Sequence, residues 1–523
     1  MKQIFIYDTT LRDGSQTEGI SYSLGDKIRI AKALDNFGIH FIEGGWPYSN
    51  PKDESFFAYF AKKPLRFSRL TAFGSTRYPH NTAARDKNIK SLIKAGTEYV
   101  TIFGKTWDLH IKDVLKVSLE ENLKMIYESI YFLRKKGRKV FYDPEHFFDG
   151  YKSNPSYALK TLKVAEEAGA DTIILCDTNG GTLTQDVEKI VKEVKRKINT
   201  PLGIHAHNDS GLAVANSITA VKEGCVQVQG TFNGYGERCG NADLALVIPI
   251  LQLKMGLRAV SPKKLKHLTK LAHFISEVSN IALSYNHPFV GRSAFAHKGG
   301  VHIDAVLKNV STYEHISPES VGNRRRLLAS ELSGKSTVVV MAKDMDFNLD
   351  KKSPQAKRLL KILQNMESQG YQFEAADASL KMIFQRELKK HSSFFQLLGF
   401  KVIVEERNKE LYSEATLKLK VGKKIEHTVS EGDGPVNALD NALKKALLNH
   451  YPSIAQIKLT DFKVRVLDEK SGTAAKVRVL ITSSDEQESW STIGVSENII
   501  EASWQALSDA VEYKLLKDLG PRH

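Results

Sequence analysis

Residues 172–207, TIILCDTNGGTLTQDVEKIVKEVKRKINTPLGIHAH, carry the pattern that decides the fold. Thr172–Cys176 is a short apolar, β-branched run, Thr184–Lys197 is an amphipathic helical stretch, and Leu202–His205 is a second β-rich run. A strand, a helix and another strand in that order argue for parallel pairing. Working outward, β-rich runs recur at Gln3–Tyr7, His40–Gly44, Arg66–Ala72, Glu98–Phe103, Lys139–Tyr142 and Val226–Thr231, with helical stretches such as Asp26–Asn36 between them. Eight strand–helix units in about 250 residues match the size of a (β/α)8 TIM barrel. An open doubly wound sheet is the rival. Polar motifs decide between the two, because they follow strands 1, 5, 6, 7 and 8, where barrel enzymes place their active-site loops; an open sheet gathers its site at one switch point.

After about Ser261 the alternation stops, and a helical Pro262–Leu283 leads into a turn-rich passage with Pro288, Gly291, Gly299 and Gly300. The Lys, Gln and Glu content of Asp350–Lys390 reads as solvated helices. From Gln396 the β pattern returns as an internal repeat. Strands around Gly399–Glu405 and Tyr412–Val421 precede a helix from Pro435, and strands at Asp461–Asp468 and Lys476–Ser483 precede a helix from Ile499. The expected organisation is a barrel over 1–280, helical accessory subdomains over 281–390, and a C-terminal α+β domain over 391–523.

A chain of 523 residues, 41% hydrophobic and 26% charged, has the composition of a packed globular protein, not of a disordered or collagen-like one. Its formal charge of +15 favours anionic partners, either nucleic acid or a phosphorylated cofactor. Neither a zinc finger nor an RNP motif supports nucleic acid. Cys176, Cys225 and Cys239 form no CxxC pair, so no disulfide framework or cysteine zinc site is readable and a reducing cytoplasm is expected. MKQIFIYDTT lacks the apolar stretch of a signal peptide, and the longest apolar run, Leu244–Leu251, contains Pro249 and is too short for a bilayer. No membrane partner is expected.

The chemistry lies in the loops. Asp8-Thr9-Thr10-Leu11-Arg12-Asp13-Gly14-Ser15-Gln16 packs carboxylates, a guanidinium and an amide into one short segment, which could also be a plain capping turn. His205 and His207 point the same way because strand side chains alternate. A His-x-His pair at the end of a barrel strand suits metal ligation, with Asp13 and a further oxygen donor to complete the set. Imidazole and oxygen donors without thiolate fit Mn²⁺, Mg²⁺, Zn²⁺ or Co²⁺. Asn233 and Asn241 both offer amide oxygens after strand 8. Gly234, Gly236 and Gly240 do not make GxGxxG, because Cys239 holds the third place, and Leu332-Ser333-Gly334-Lys335-Ser336 is not a P-loop, because Ala329 stands where its first glycine is required.

DTTLRDGSQ at 8–16, HAHNDSGLAVANS at 205–217, NGYGERCGNAD at 233–243 and HKGGVHIDAVLKNVSTYEHISPESVGNR at 297–324 together resemble the family of acetyl-CoA-dependent acyltransferases that includes isopropylmalate, homocitrate and citramalate synthases. IEGGWPYSNPKD at 42–53 and DPEH at 143–146 are similar to the long citramalate-forming branch, which implies pyruvate in place of a bulkier 2-oxo acid. The resemblance implies Asp13, His205, His207 and Asn241 as metal ligands, Arg12 beside the ion, Gln16 and Thr178 on the 2-oxo acid, and Glu145, His302 and Tyr313 in catalysis or closure. It also implies acetyl-CoA as co-substrate, a homodimer, and a tail that binds a branched-chain amino acid, isoleucine for a citramalate-forming pathway.

A mechanism consistent with these residues has the metal polarise the keto group while Arg12 stabilises the alkoxide. His302, oriented by Asp304 or Glu145, or Glu145 itself, removes the methyl proton of the thioester. Hydrolysis then releases coenzyme A. The nearest rival activity is isopropylmalate or homocitrate synthase; a carbon–carbon lyase on the same barrel is the second, and the repeat-bearing tail speaks against it.

Overall fold

Local chemistry starts and stops the helices at the places the sequence marks. Ser23 and Asp26 form a reciprocal capping box at the head of Leu24–Phe37, and Gly38 ends it with φ 93°. Asn50 caps Pro51–Lys62, whose first residue is the proline. Thr184–Lys197 has the bounds its periodicity predicts and buries Val187, Ile190, Val191 and Val194, the i, i+3, i+4, i+7 stripe.

The computed structural model describes residues 2–328, 335–389, 391–407, 409–467 and 475–522. Residues 329–334 and Asp468 therefore lie outside the described residues. The chain divides into two compact units, Met1–Phe295 with Ile316–Arg324, and Ala296–His315 with Arg325–His523.

In the first unit the strands are β1 (Phe5–Asp8), β2 (Phe41–Gly45), β3 (Arg69–Ser75), β4 (Tyr99–Lys105), β5 (Lys139–Glu145), β6 (Thr172–Asp177), β7 (Leu202–Ala206) and β8 (Gln227–Gly230). They close into a parallel barrel in which β1 pairs with both β2 and β8. The expected strand at Arg66–Ala72 begins three residues later. Asp35 accepts the backbone N–H groups of Arg66, Phe67 and Ser68, so these residues belong to a turn before the ladder. The helical stretch Pro262–Leu283 holds two helices, Pro262–Leu265 and Leu268–Ser279, the second ended by Asn280 at φ 53°. Inside the barrel Tyr7, Phe41, Phe141 and Tyr99 form an aromatic layer.

In the second unit the stretch read as solvated helices has a core. Pro354–Ser368 buries Ala356, Leu359 and Leu363, and these pack with Val338, Met341, Phe373, Leu380 and Phe384. Its lysines and glutamines mask an ordinary apolar stripe. The tail repeat is present as two antiparallel three-stranded sheets. Gln396–Arg407, Glu410–Val421 and Lys424–Gly432 precede helix Pro435–Leu447; Lys458–Val466, Val477–Ser484 and Ser489–Ser496 precede helix Ile499–Leu519. The third strand of each half arises from segments read only as lead-ins to the helices, HTVSEG and STIGVS. Among the described residues no helix is long and apolar enough to cross a membrane.

Candidate active site and metal centre

The loop after β1 is pinned by Asp8, whose two carboxylate oxygens accept the Thr10 N–H and hydroxyl. This turn brings Arg12 and Asp13 over the barrel mouth, where β7 delivers His205 and, just beyond it, His207. His205 Nε2 lies 3.2 Å from His207 Nε2 and 3.4 Å from Asp13 Oδ2, and His207 Nε2 lies 3.9 Å from the same oxygen. Ligands about 2.1 Å from a shared cation at angles near 90–110° stand about 3.0–3.4 Å apart, so two of the three separations fall in that range and the third is slightly long. All three residues are buried.

The surroundings prepare these atoms as donors of lone pairs. Gln229 sends its Nε2 to Asp143 Oδ1 (3.3 Å) and turns its Oε1 to His205 Nδ1 (3.0 Å). His205 therefore carries its hydrogen on Nδ1 and leaves Nε2 open toward the trio, the outer-shell arrangement of metal-binding histidines. Burial pushes the Asp13 carboxyl up, but Arg12 and His205 outweigh it and hold the group well below the usual carboxylate range. Burial, reinforced by His205, lowers the His207 pKa to about 4, so that imidazole is neutral. Burial lowers the His205 pKa but Asp13 raises it further, and a cation among the three would replace that proton as counter-charge.

Asn241 sits beside His207 in an isolated antiparallel bridge. Its Nδ2 donates to the Tyr235 carbonyl (3.1 Å), and its buried Oδ1 accepts nothing. Gly240, at φ +86°, makes this turn possible, since a Cβ there would lie 1.9 Å from the Gly234 carbonyl oxygen. Asn233, the other amide candidate, donates its Nδ2 to the Ala272 carbonyl (2.9 Å).

Arg12 is held on three sides: Nε lies 2.5 Å from Glu43 Oε1, Nη1 lies 3.4 Å from Asp13 Oδ2, and the guanidinium carbon stands 3.8 Å over the Phe73 ring. Glu43 also accepts the Tyr7 hydroxyl (2.5 Å), which lies within 2.8 Å of the Thr71 and Thr101 hydroxyls. A cavity of about 220 Å³ opens here, lined by Arg12, Asp13, Gln16, Glu145, Thr178, His205 and His207. Its apolar wall is Trp46, Phe73 and Phe103. Phe73 stacks on Phe103 at 5.5 Å, and Trp46 meets both edge-on at 5.8 Å. Glu145 is ion-paired with Lys105. Thr178 Oγ1 accepts the His146 N–H (2.9 Å).

His302 and Tyr313 stand in the second unit, their rings stacked with centroids 4.2 Å apart. Asp304 pairs with Lys308 (2.6 Å). Next to Tyr313, Glu314 is gripped by Arg325 through both oxygens, at 2.5 and 2.6 Å, and by His297 at 3.1 Å.

Sequence reasoning passed over Glu43, Phe73, Phe103, Lys105 and Asp143. Glu43 and Asp143 carry a readable signal, lying within the stretches 42–53 and 143–146, Glu43 as a single carboxylate in the otherwise apolar β2 run FIEGG.

Residues 3–275 match the HMGL-like family, residues 289–370 the homocitrate synthase post-HMGL domain-like family, and residues 374–515 the LeuA allosteric (dimerisation) domain. The (R)-citramalate synthase of Geobacter sulfurreducens is 53% identical over 519 residues, covering 99% of this chain and 98% of that one. That of Aquifex aeolicus is 53% identical over 520 residues, with the same coverage. A 2-isopropylmalate synthase of Methanocaldococcus jannaschii is 30% identical over 519 residues, covering 98% of this chain and 95% of that one. With the barrel, the His/His/Asp trio and this identity along nearly its whole length, the chain belongs to the (R)-citramalate synthase family.

Proposed function

We propose that the protein condenses acetyl-CoA with pyruvate and hydrolyses the thioester, yielding (R)-citramalate and coenzyme A. The observation that carries the choice of substrate is the apolar wall of the cavity, where Trp46, Phe73 and Phe103 pack on one another and offer the methyl group of pyruvate an aromatic surface with no partner for a second carboxylate.

Asp13, His205, His207 and Asn241 are the residues that would hold a divalent cation, Mn²⁺, Mg²⁺, Zn²⁺ or Co²⁺. Bound there, the ion supplies Lewis acidity toward a 2-oxo acid. Arg12, fixed by Glu43 over Phe73, presents its guanidinium to the oxygen that gains charge when carbon attacks the keto group. Thr178 already accepts the His146 N–H, so its own hydroxyl hydrogen is free to meet the substrate carboxylate, with Gln16 on the same cavity wall. Removal of the thioester methyl proton is assigned to His302 or to Glu145, the latter held in place by Lys105. Water then cleaves the thioester.

The tail is assigned to feedback by isoleucine and to homodimerisation. Strand Lys458–Val466 supports the second assignment, since it is solvent-facing along nearly its whole length and shows Phe462, Val464 and Val466 to water. A cytoplasmic setting fits the free cysteines.

Thiol release from acetyl-CoA, followed with a panel of 2-oxo acids after chelation and with each divalent ion restored, tests the reading. Pyruvate should give the highest kcat/KM. Preference for 2-oxoisovalerate or 2-oxoglutarate would overturn it. Isoleucine should lower turnover of the full chain, and insensitivity at millimolar isoleucine would remove the regulatory assignment.

A further inference from the structure

At the end of the barrel away from the His/His/Asp trio, where β1, β2 and β3 begin, lies a second cavity of about 700 Å³. Barrel chemistry resides at the other end, so the proposed reaction leaves this cavity unexplained. Its wall is a row of rings, with Phe5 5.3 Å from His40 and His40 5.7 Å from Phe67, centroid to centroid. Phe5 is 40% and Phe67 53% exposed, so both rings are open to solvent, set at angles of 78° and 56° to the His40 ring between them.

Charge around the opening is one-sided. Arg66, Arg258 and Lys264 line it against a single carboxylate, Asp35. Asp35 is already committed, its oxygens accepting three backbone N–H groups at 2.7–3.1 Å. Lys264 donates to the Asn36 carbonyl and Arg258 to the Gln3 amide oxygen, which are neutral acceptors that leave both charges uncompensated.

Hydrogen bonding leaves a surplus donor as well. His40 Nδ1 accepts the Ile6 N–H (3.1 Å), which puts the ring hydrogen on Nε2. That Nε2 faces Gln3 Nε2 at 3.1 Å, and the Gln3 amide nitrogen is fixed by donating to the carbonyls of Ile4 and Arg258, both at 2.9 Å. Turning the amide over would set its oxygen against those two carbonyls. Both Gln3 amide hydrogens are thus spent on carbonyls, and the His40 Nε2–H alone is left without an acceptor. Burial and the nearby Arg258 push the His40 pKa down to about 4, so the ring stays neutral and keeps this pattern at working pH.

Exposed aromatic rings, three cations and one unmet N–H donor describe one chemical class. We propose that this cavity binds a nucleoside phosphate, its base laid against the exposed Phe67 ring with Phe5 and His40 beside it, and its phosphate oxygens taken by Arg66, Arg258 and Lys264. Inorganic phosphate alone would leave the rings bare, and an aliphatic acid would gain little from aromatic rings. A free adenine nucleotide and the phosphorylated ADP portion of a second, non-reacting coenzyme A share this chemistry.

Calorimetric titration of the full-length protein with ADP tests the site. One site per chain is expected, weakened at least tenfold by Arg66→Glu and by Phe67→Ala, both exposed positions, and weakened by added salt. Asp13→Asn, at the other end of the barrel, should bind ADP as the parent does. Displacement of ADP from that variant by coenzyme A identifies the cofactor as the source; failure to displace identifies a free nucleotide. No saturable ADP binding, or binding that neither Arg66→Glu nor Phe67→Ala alters, overturns the proposal. So does pyrophosphate competing as well as ADP, because the rings would then contribute nothing.

Discussion

Glu43→Gln probes whether Arg12 works through its orientation. The Glu43 carboxylate is fully buried and accepts Arg12 Nε at 2.5 Å and the Tyr7 hydroxyl at 2.5 Å. Glutamine keeps the volume and one carbonyl acceptor but removes the charge. Its amide nitrogen must face one of two former donors. Tyr7 can yield, because its hydroxyl can turn its hydrogen to Thr71 or Thr101 and accept from the new NH₂. Arg12 then keeps a neutral hydrogen bond where it had a charge-assisted one, a loss of about 1–2 kcal/mol. The guanidinium is also left with Asp13, 3.4 Å away, as its sole remaining carboxylate neighbour of the pair and is drawn toward the metal trio. Removing Arg12 outright should cost about 3–4 kcal/mol of barrier, so Glu43→Gln must cost less. The expected result is a fall in kcat of roughly 5- to 30-fold, with a smaller change in KM for pyruvate, and a larger fall for Arg12→Ala. Initial rates of thiol release at saturating metal measure both. A kcat within twofold of the parent for Glu43→Gln, with Arg12→Ala strongly impaired, would show that the buried carboxylate does not position the cation.

His207→Ala should lose the bound divalent ion on dialysis, read by elemental analysis, and lose at least about a hundredfold in turnover, more than outer-shell changes cost; retention of one ion per chain refutes the ligand set. Phe103→Ala removes one of the three rings and should shift the ratio of kcat/KM for 2-oxobutyrate over pyruvate upward by about 10-fold or more, the scale of one methylene in an apolar pocket. An unchanged ratio would move the specificity elsewhere. Asp8 is pushed up to about 7, first by burial and then by Glu43, despite its two hydrogen bonds from Thr10. The folded state therefore takes the proton more readily than the unfolded chain, and this contribution is full below about pH 4 and is lost as pH rises through 7, by up to about 4 kcal/mol. Between pH 6 and pH 8 the Tm of Asp8→Asn should improve relative to the parent; a constant difference would contradict the sign.

The barrel was legible because each strand carries its own apolar run and each helix its own stripe, as in Thr172–Cys176 and Thr184–Lys197. What was missed lies where distant atoms compete with the local pattern. Arg66–Ser68 look like strand, but Asp35 on the preceding helix takes their N–H groups. The core of 350–390 was hidden because Lys and Gln set the average of the window while Ala356, Leu359 and Leu363 set the face. In the site, the loop motifs announced charged residues whose types already limit the chemistry. Phe73 and Phe103 announced nothing, because an aromatic residue in a barrel strand reads as core, and only β3 and β4 standing side by side make the two a wall.

The backbone of the mouth loops carries a further argument about Thr178. His146 and Arg238, neither of them glycine, hold φ near +56° and +55°. Such conformations cost about 1–3 kcal/mol each and persist where the surroundings over-determine them. His146 in this conformation aims its N–H at Thr178 Oγ1, and Arg238 sends Nη2 to the Thr178 carbonyl (2.7 Å) while its guanidinium also grips Asp209 at 2.7 and 3.0 Å. Two strained residues from the loops after β5 and β8 thus converge on one threonine in the loop after β6. The Arg238 bond fixes the Thr178 backbone, and the His146 bond fixes its hydroxyl oxygen. Fixing the oxygen as an acceptor on one side leaves a hydroxyl hydrogen to be directed into the cavity, which is the geometry a carboxylate ligand requires and which a serine-rich, unstrained loop would leave free to rotate.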